Sequence, residues 1–221
     1  MIPKFFPIIS LILFSSNLSA AGLGSTGAFD FLIIALLLIL GGFIFYLQSQ
    51  VQKKRRETEE LLEKLALKER AWTPDITKDY ISKVFHLVQK SWAEKNADVA
   101  KDFMSESLYL NHKVQTDLMV SNHEKNMLER IRLKEIHTAE ILDYQDAKRD
   151  IMLVLIKGSM IDYVIDEITG KIKWGKKDEP EEISELWKFI RSRDRWVLDS
   201  IEQKVEIKFL HELHSKPEES P

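Results

Sequence analysis

Ile151-Met152-Leu153-Val154-Leu155-Ile156 is apolar at every position. A strand with no polar face suits the centre of a sheet, covered on each side. The run continues through Met160, Ile161, Tyr163 and Ile165, and Gly158 within it predicts a bulge where the strand bends. Downstream, Asp166 to Gly170 predicts a turn. Glu185–Arg191 and Trp196–Ile201, split by Ser192-Arg193-Asp194-Arg195, predict a hairpin with Glu185, Trp187, Phe189 and Arg191 on one face. Upstream, Asp146–Asp150 reads as a turn and Ile131–Tyr144 as a half-exposed strand. Before these come helices. Ile76, Tyr80, Ile81, Val84, Phe85, Val88 and Trp92 follow a 3.6-residue period to about Glu94, and shorter helices are expected over 97–104 and 107–119. Thr73-Pro74-Asp75 marks the start of the first, with Asp75 or Thr77 available as a cap, and Ser121–Asn126 is turn-like. Helices first and strands afterwards is the α+β pattern. The expected arrangement is an antiparallel meander curled around the long helix, burying its aromatic face.

The N-terminal quarter has another character. Residues 1–52 hold two charges, Lys4 and Asp30. Lys4 precedes the apolar run Phe5–Phe14, and small residues follow to Ala21, which describes a signal peptide over 1–21. As a helix that run rises roughly 15 Å, half of a ~30 Å hydrocarbon core. An uncleaved first membrane segment is the alternative. A Gly/Ser linker over 22–28 leads to Phe31–Leu47, which carries no charged side chain; the expected transmembrane helix covers 29–48. Lys53-Lys54-Arg55-Arg56 directly follows, and positive residues flanking a span stay on the cytoplasmic side. Cleaved or not, the leader leaves the downstream domain in the cytoplasm of a bacterial inner membrane, single-pass. The quartet is a candidate contact with anionic headgroups. Residues 49–72 read as a charged juxtamembrane helix, a stalk rather than a coiled coil, because its apolar stripe (Leu61, Leu62, Leu65, Ala66) is narrow.

Composition excludes several function classes. Of 221 residues none is cysteine, which removes disulfides, thiolate metal sites and a Cys nucleophile. The mean hydropathy of -0.21 averages over two unlike parts. The net charge of -3 is zero over 1–52 and +2 over 53–72, leaving -5 for 73–221, against the basic face that nucleic-acid binding needs. His211-Glu212-Leu213-His214 spaces its histidines at i,i+3, whereas a zincin needs i,i+4 and a third ligand, so no metal or other cofactor is expected. His112 and His123 read as surface histidines. Phosphate-binding glycine loops and the Gly-x-Ser-x-Gly elbow are absent from the sequence.

Ser159–Gly170 with Trp174-Gly175, Glu185–Arg191 and Trp196–Gln203 are similar to the strand motifs of the Tim44-like domain, and Asn126-Met127-Leu128 resembles the step before its first strand. The resemblance covers about 72–204, with a tail over 205–221. It implies a conical fold of the nuclear-transport-factor-two-like superfamily, N-terminal helices on a curved four-stranded antiparallel sheet over 73–204. Members include the import-motor scaffold of the mitochondrial inner membrane and membrane-bound receptors for mitochondrial ribosomes, and bacterial members are commonly membrane-anchored. The chain lacks the scaffold's long chaperone-binding N-terminal region, so recruitment of a heat-shock ATPase is not implied.

The reading that results is a non-enzymatic tether. Its cytoplasmic domain docks a protein partner, such as translocation or insertion machinery or a ribosome, and anionic lipid. Candidate pocket or partner-surface residues are Tyr80, Phe85, Trp92, Tyr163, Trp187, Phe189, Arg191 and Trp196. Aromatic residues in such places form core or line a pocket. Arg191, a cation on an aromatic face, must pair with Asp166 or Glu185 or bind an anionic group. Asp162 and Tyr163 alternate across their strand, so Tyr163 pointing inward turns Asp162 outward. The competing reading is a small-molecule or isomerase-like cone with an aromatic-lined pocket.

Overall fold

The structure, a computed structural model, describes residues 26–69, 72–192, 195–203 and 215. The expected signal peptide, most of the linker and the His211/His214 pair lie outside them.

The chain divides into two units, residues 1–47 and 48–221. In the first, α1 (Thr26–Lys68) exposes its apolar side chains around the whole circumference, Phe31 at 75%, Leu38 at 72% and Phe45 at 72%. The helix from Phe31 onward is long and apolar enough to cross a membrane.

The second unit is α+β. It comprises the end of α1, α2 (Pro74–Ala93), α3 (Glu106–Ser121), and strands β1 (Glu124–Leu142), β2 (Ile151–Asp166), β3 (Ile172–Gly175), β4 (Glu181–Ser192) and β5 (Arg195–Gln203), with single 3₁₀ turns at Ala97–Val99, Lys101–Phe103 and Ala147–Arg149. Pro74, with its fixed φ and missing N–H, opens α2 after extended Thr73, so neither Asp75 nor Thr77 caps it; the Thr77 hydroxyl donates to the Thr73 carbonyl at 2.8 Å. Ser105 caps α3, its hydroxyl accepting from the Leu108 N–H at 3.2 Å.

The sheet is antiparallel in the order β1-β2-β4-β5, with β3 also paired to β2. Among the described residues five strands replace the expected four because Ile172–Gly175, too short to signal itself and flanked by Lys171 and Lys176, pairs with the far end of β2 at Tyr163–Ile165. β4 pairs along Ile151–Met160 of the same strand. As its composition predicts, β2 is buried on both faces: Met152, Val154 and Ile156 on one, Leu155, Ile161 and Tyr163 on the other. β1 begins at Glu124, where a turn was expected, because Glu124–Glu129 pair with Asp166–Ile161; the chain leaves α3 and enters β1 through His123, whose φ is +54°.

The bulge expected at Gly158 lies on its neighbour. Gly158 pairs regularly with Ile183 of β4, while β1 shifts register at three places, between Glu129 and Arg132, Leu133 and Glu135, and Thr138 and Glu140. Each extra residue bends β1 and increases its twist. Gly158 permits the close approach, since an added Cβ would stand 2.6 Å from the Arg132 carbonyl oxygen. Gly175 is more constrained, with φ +79° and an added Cβ 2.3 Å from the Asp162 carbonyl oxygen. Gly175→Ala is expected to cost about 3 kcal/mol, read by thermal unfolding of the full chain in detergent.

The core joins Ile81, Val84, Phe85 and Val88 of α2 to Met152, Val154 and Ile156 of β2, Trp187 and Phe189 of β4 and Leu198 of β5. Leu62 and Leu65 of α1 belong to it, at 5% and 3% exposure. The helix expected as a charged stalk packs at its C-terminal end: the narrow stripe is narrow because only one edge of the helix touches the core. Thr58 is buried too, its hydroxyl 3.1 Å from that of Ser215, which in turn accepts from the Ile141 N–H at 3.1 Å.

Candidate functional site

The eight candidate residues do not converge on one site. Phe85, Trp187 and Phe189 are each 0% exposed and form the aromatic centre of the core, with Trp187 5.6 Å from Phe85 and 6.4 Å from Phe189 between ring centroids. They are inaccessible to any partner. Tyr163 is buried on the opposite face of β2, its hydroxyl donating to Glu129 Oε1 at 2.9 Å. Asp162, expected to point outward, shares the helix-covered face with Ile156 and Met160; the sheet buries both sides, so an inward Tyr163 does not make Asp162 solvent-facing.

Arg191, Trp196 and Tyr80 meet at one end of the sheet. The Arg191 guanidinium lies 5.1 Å from the Trp196 ring, which meets Trp72 edge-on at 4.7 Å. The Tyr80 hydroxyl donates to the Trp196 carbonyl, and burial pushes its pKa up to about 12. Arg191 does pair, but with neither expected carboxylate. Its Nη2 donates to Glu69 at the end of α1, and its Nε is 4.0 Å from Asp150 Oδ2. Asp166 is occupied in its own turn, accepting from the Ile168 and Thr169 N–H groups at 3.0 and 2.7 Å. Glu185 accepts from Trp187 Nε1 at 2.9 Å. Asp150 is 1% exposed, and burial raises its pKa to about 6 despite the N–H of Tyr144 and the nearby Arg191. Sequence reasoning missed Glu69 and Asp150, although an arginine on an aromatic face does signal that some carboxylate must be buried with it.

Trp92 sits against His112, ring centroids 4.3 Å apart and edge-on. His112, read as a surface residue, is 4% exposed, and its Nε2 is 2.5 Å from Ser91 Oγ. The polar setting of His112 in the sequence concealed this, because α3 buries His112 and Thr116 on the same helix that packs Leu108 and Tyr109 against the core. A Ser–His pair invites a hydrolase reading, which requires the imidazole to accept the serine proton. Here the Ser91 hydroxyl donates to the Val88 carbonyl at 2.9 Å, so His112 Nε2–H is the donor, and Ser91 is 0% exposed. The pair is structural. Burial holds the His112 pKa below its ordinary value, so the unfolded chain takes up the proton first. Stability therefore falls as pH drops through the unfolded value near 6.5. Melting curves from pH 8 to 5.5 are expected to show that loss in the wild type and a weaker one in His112→Gln.

On the helix-covered face, burial raises the pKa of Asp162, with Glu181 adding to it, and also that of Glu185. Asp162 Oδ1 and Asn126 Oδ1 have no hydrogen-bond partner among the described residues. Among those residues no group of three His, Asp or Glu side chains is placed to hold a metal ion. Lys53, Lys54, Arg55 and Arg56 follow the apolar run in α1, Lys53 paired to Glu57 at 3.8 Å and Arg55 to Glu59 at 3.0 Å. Part of the quartet's charge is thus already balanced within the helix.

Residues 60–203 match the Tim44-like domain family. The chain belongs to that family. The matched range opens just before Leu62, the first buried apolar residue of α1, so the Tim44-like domain takes in the helix end that packs on the sheet. No curated protein sequence matches the chain. Among solved structures it is similar to the crystal structure of the intermembrane space region of the chloroplast protein ARC6, at 6% identity and a TM-score of 0.45, covering 61% of this chain and 98% of that one.

Proposed function

We propose that this Tim44-like protein is a non-enzymatic scaffold of a bacterial inner membrane, whose conical domain docks a protein partner of the translocation or membrane-assembly machinery on the cytoplasmic side. One observation carries the reading: the residues that follow the basic quartet in α1, Thr58, Leu62 and Leu65, are buried in the domain. A segment with cytoplasmic-side chemistry is thereby built into the folded module, as a tether requires. The positive-inside bias supports a cytoplasmic domain. Arg56 can approach anionic headgroups, worth ~1 kcal/mol near a surface. Burial of the core aromatic residues also favours docking over small-molecule chemistry, since the side chains best suited to line a cone pocket already fill it.

The test is photo-crosslinking in vivo from exposed positions of the domain, such as Lys101 and Gln115. The expected result is a discrete adduct with a membrane-embedded or translocating protein. The cysteine-free background also permits topology mapping, with Lys101→Cys expected to react only after the inner membrane is made permeable. Labelling from the outside, or an absence of discrete adducts, overturns the reading.

A further inference from the structure

The β2–β3 hairpin carries exposed apolar side chains set among lysines. Trp72, Trp187 and Trp196 are buried, whereas Trp174 of β3 is 53% exposed, with Ile172 at 48% and Ile168, in the turn, at 73%. Lys171, Lys173, Lys176 and Lys177 surround them, and no acidic residue lies between Thr169 and Lys177. Lys173 is held by Glu124 at 2.6 Å and Lys176 by Glu179; Lys171 and Lys177 form no ion pair among the described residues. The hairpin is firmly built. Asp166 closes its turn by accepting from the Ile168 and Thr169 N–H groups, and Glu167 donates its N–H to the His123 carbonyl and pairs with Lys95. Ile172 stands opposite Ile165 and Trp174 opposite Val164, so the register shift sends these two side chains to opposite faces. A groove in a protein partner covers one face of a hairpin. A headgroup layer surrounds both.

The fold points this hairpin the same way as the membrane end of α1. Glu69 meets Arg191, whose N–H donates to the Asp150 carbonyl just ahead of β2. Thr58 shares the Ser215 hydroxyl with Ile141, the partner of Met152. Arg55 is close enough to act electrostatically on His137 and Glu135, the partners of Leu155 and Lys157. Traced backward from Glu69, α1 therefore advances along β2 in the direction of the turn. From Arg55 it continues to Gln48, about 10 Å at 1.5 Å per residue. From Lys157, β2 continues to Ile165, about 26 Å at 3.3 Å per residue. The hairpin thus reaches at least as far as the end of α1 that enters a bilayer.

We infer that the β2–β3 hairpin is a second foot on the membrane, with Trp174, Ile172 and Ile168 entering an anionic headgroup layer and Lys171 and Lys177 meeting its charges. Tryptophan and lysine suit this boundary because each joins an apolar body to a polar end. The inference rests on the reading of α1 as a membrane anchor and goes beyond it. A single tether leaves a domain free to swing, whereas two contacts fix which of its surfaces is turned away from the bilayer.

The experiment places an environment-sensitive fluorophore on single cysteines of the full chain. The chain is reconstituted in phosphatidylcholine vesicles, with or without phosphatidylglycerol, that carry a headgroup-level quencher lipid. Thr169→Cys is expected to be quenched in the anionic vesicles, and exposed Lys101→Cys to stay bright. Trp174→Ser and, separately, Lys171→Gln are expected to weaken quenching at Thr169→Cys, the lysine change by about fivefold in the ratio of bound to free hairpin. Neither change is expected to move the melting temperature, because both side chains are exposed. Gln48→Cys reports the anchor. Quenching there without quenching at Thr169→Cys overturns the hairpin contact alone, and quenching at neither overturns the anchor as well. Quenching at Thr169→Cys that is equal in neutral lipid, or indifferent to both variants, overturns the proposal. So does shielding of Thr169→Cys from an aqueous quencher without quenching by lipid, which assigns the hairpin to a protein or a second copy.

Discussion

Trp187→Ala is expected to destabilise the domain by about 5 kcal/mol, most of what a protein of this kind has available. Trp187 is fully buried between Phe85 and Phe189, so truncation leaves a cavity where the sheet meets α2. It also removes the indole N–H from which Glu185 Oε2 accepts, leaving that buried carboxyl group with Gln203 Nε2, 3.5 Å from its Oε1, among the described residues. The two losses, ~3–5 kcal/mol for the cavity and ~1–3 for the stranded acceptor, act together. Trp187→Phe keeps most of the ring and loses the donor, at about 1–2 kcal/mol. Thermal unfolding of the full chain in detergent, followed by circular dichroism, separates the variants; a drop of roughly 10–20 °C is expected for the alanine variant. A loss below about 2 kcal/mol shows that Trp187 is not the centre of the core.

The second large effect is at Arg191. Removing one member of a buried charge cluster leaves the others uncompensated, at about 3–5 kcal/mol. Arg191→Leu strands Asp150, which is 1% exposed, more than Glu69, whose side chain is 44% exposed and can turn to water. Asp150→Asn in the Arg191→Leu background is therefore expected to recover most of the loss, which a purely steric role for the arginine does not allow. The pH dependence has a definite sign. Asp150 has a folded pKa near 6 against 3.8 for the ordinary carboxyl. The folded state holds the proton more tightly, so the contribution favouring folding is complete below about 3.8 and is lost as pH rises through about 6. Arg191→Leu is accordingly expected to cost more at pH 8 than at pH 5. Equal costs at both values show that Asp150 is not the group left stranded.

Periodicity made the strands and helices legible where burial is simple. The doubly apolar Ile151–Ile156 announced a central strand, and the 3.6-residue pattern from Ile76 announced α2, because each reports a uniform environment. β3 was not legible, since Ile172–Gly175 is mostly exposed and pairs only because the turn at Asp166–Gly170 folds it back. α3 misled in the opposite way. Its polar His112 and Thr116 are buried while Leu110, Val114 and Leu118 are exposed and Leu108 packs against the core, so residue type alone does not mark its inner side. The candidate site was legible as a set of aromatic residues and one odd arginine. Which of them are core, and which carboxylates face the arginine, was not, because Glu69 and Arg191 are 122 positions apart.

Local composition decided what local composition can: an apolar helix long enough for a bilayer, a basic flank, an α+β order of elements and a family motif, each readable from neighbours within a few turns or strands. Packing decided the rest. Partners of a buried charge, the side of α3 that faces the sheet and the end of α1 that joins the core depend on contacts between distant segments, and those exist only once the chain has closed on itself.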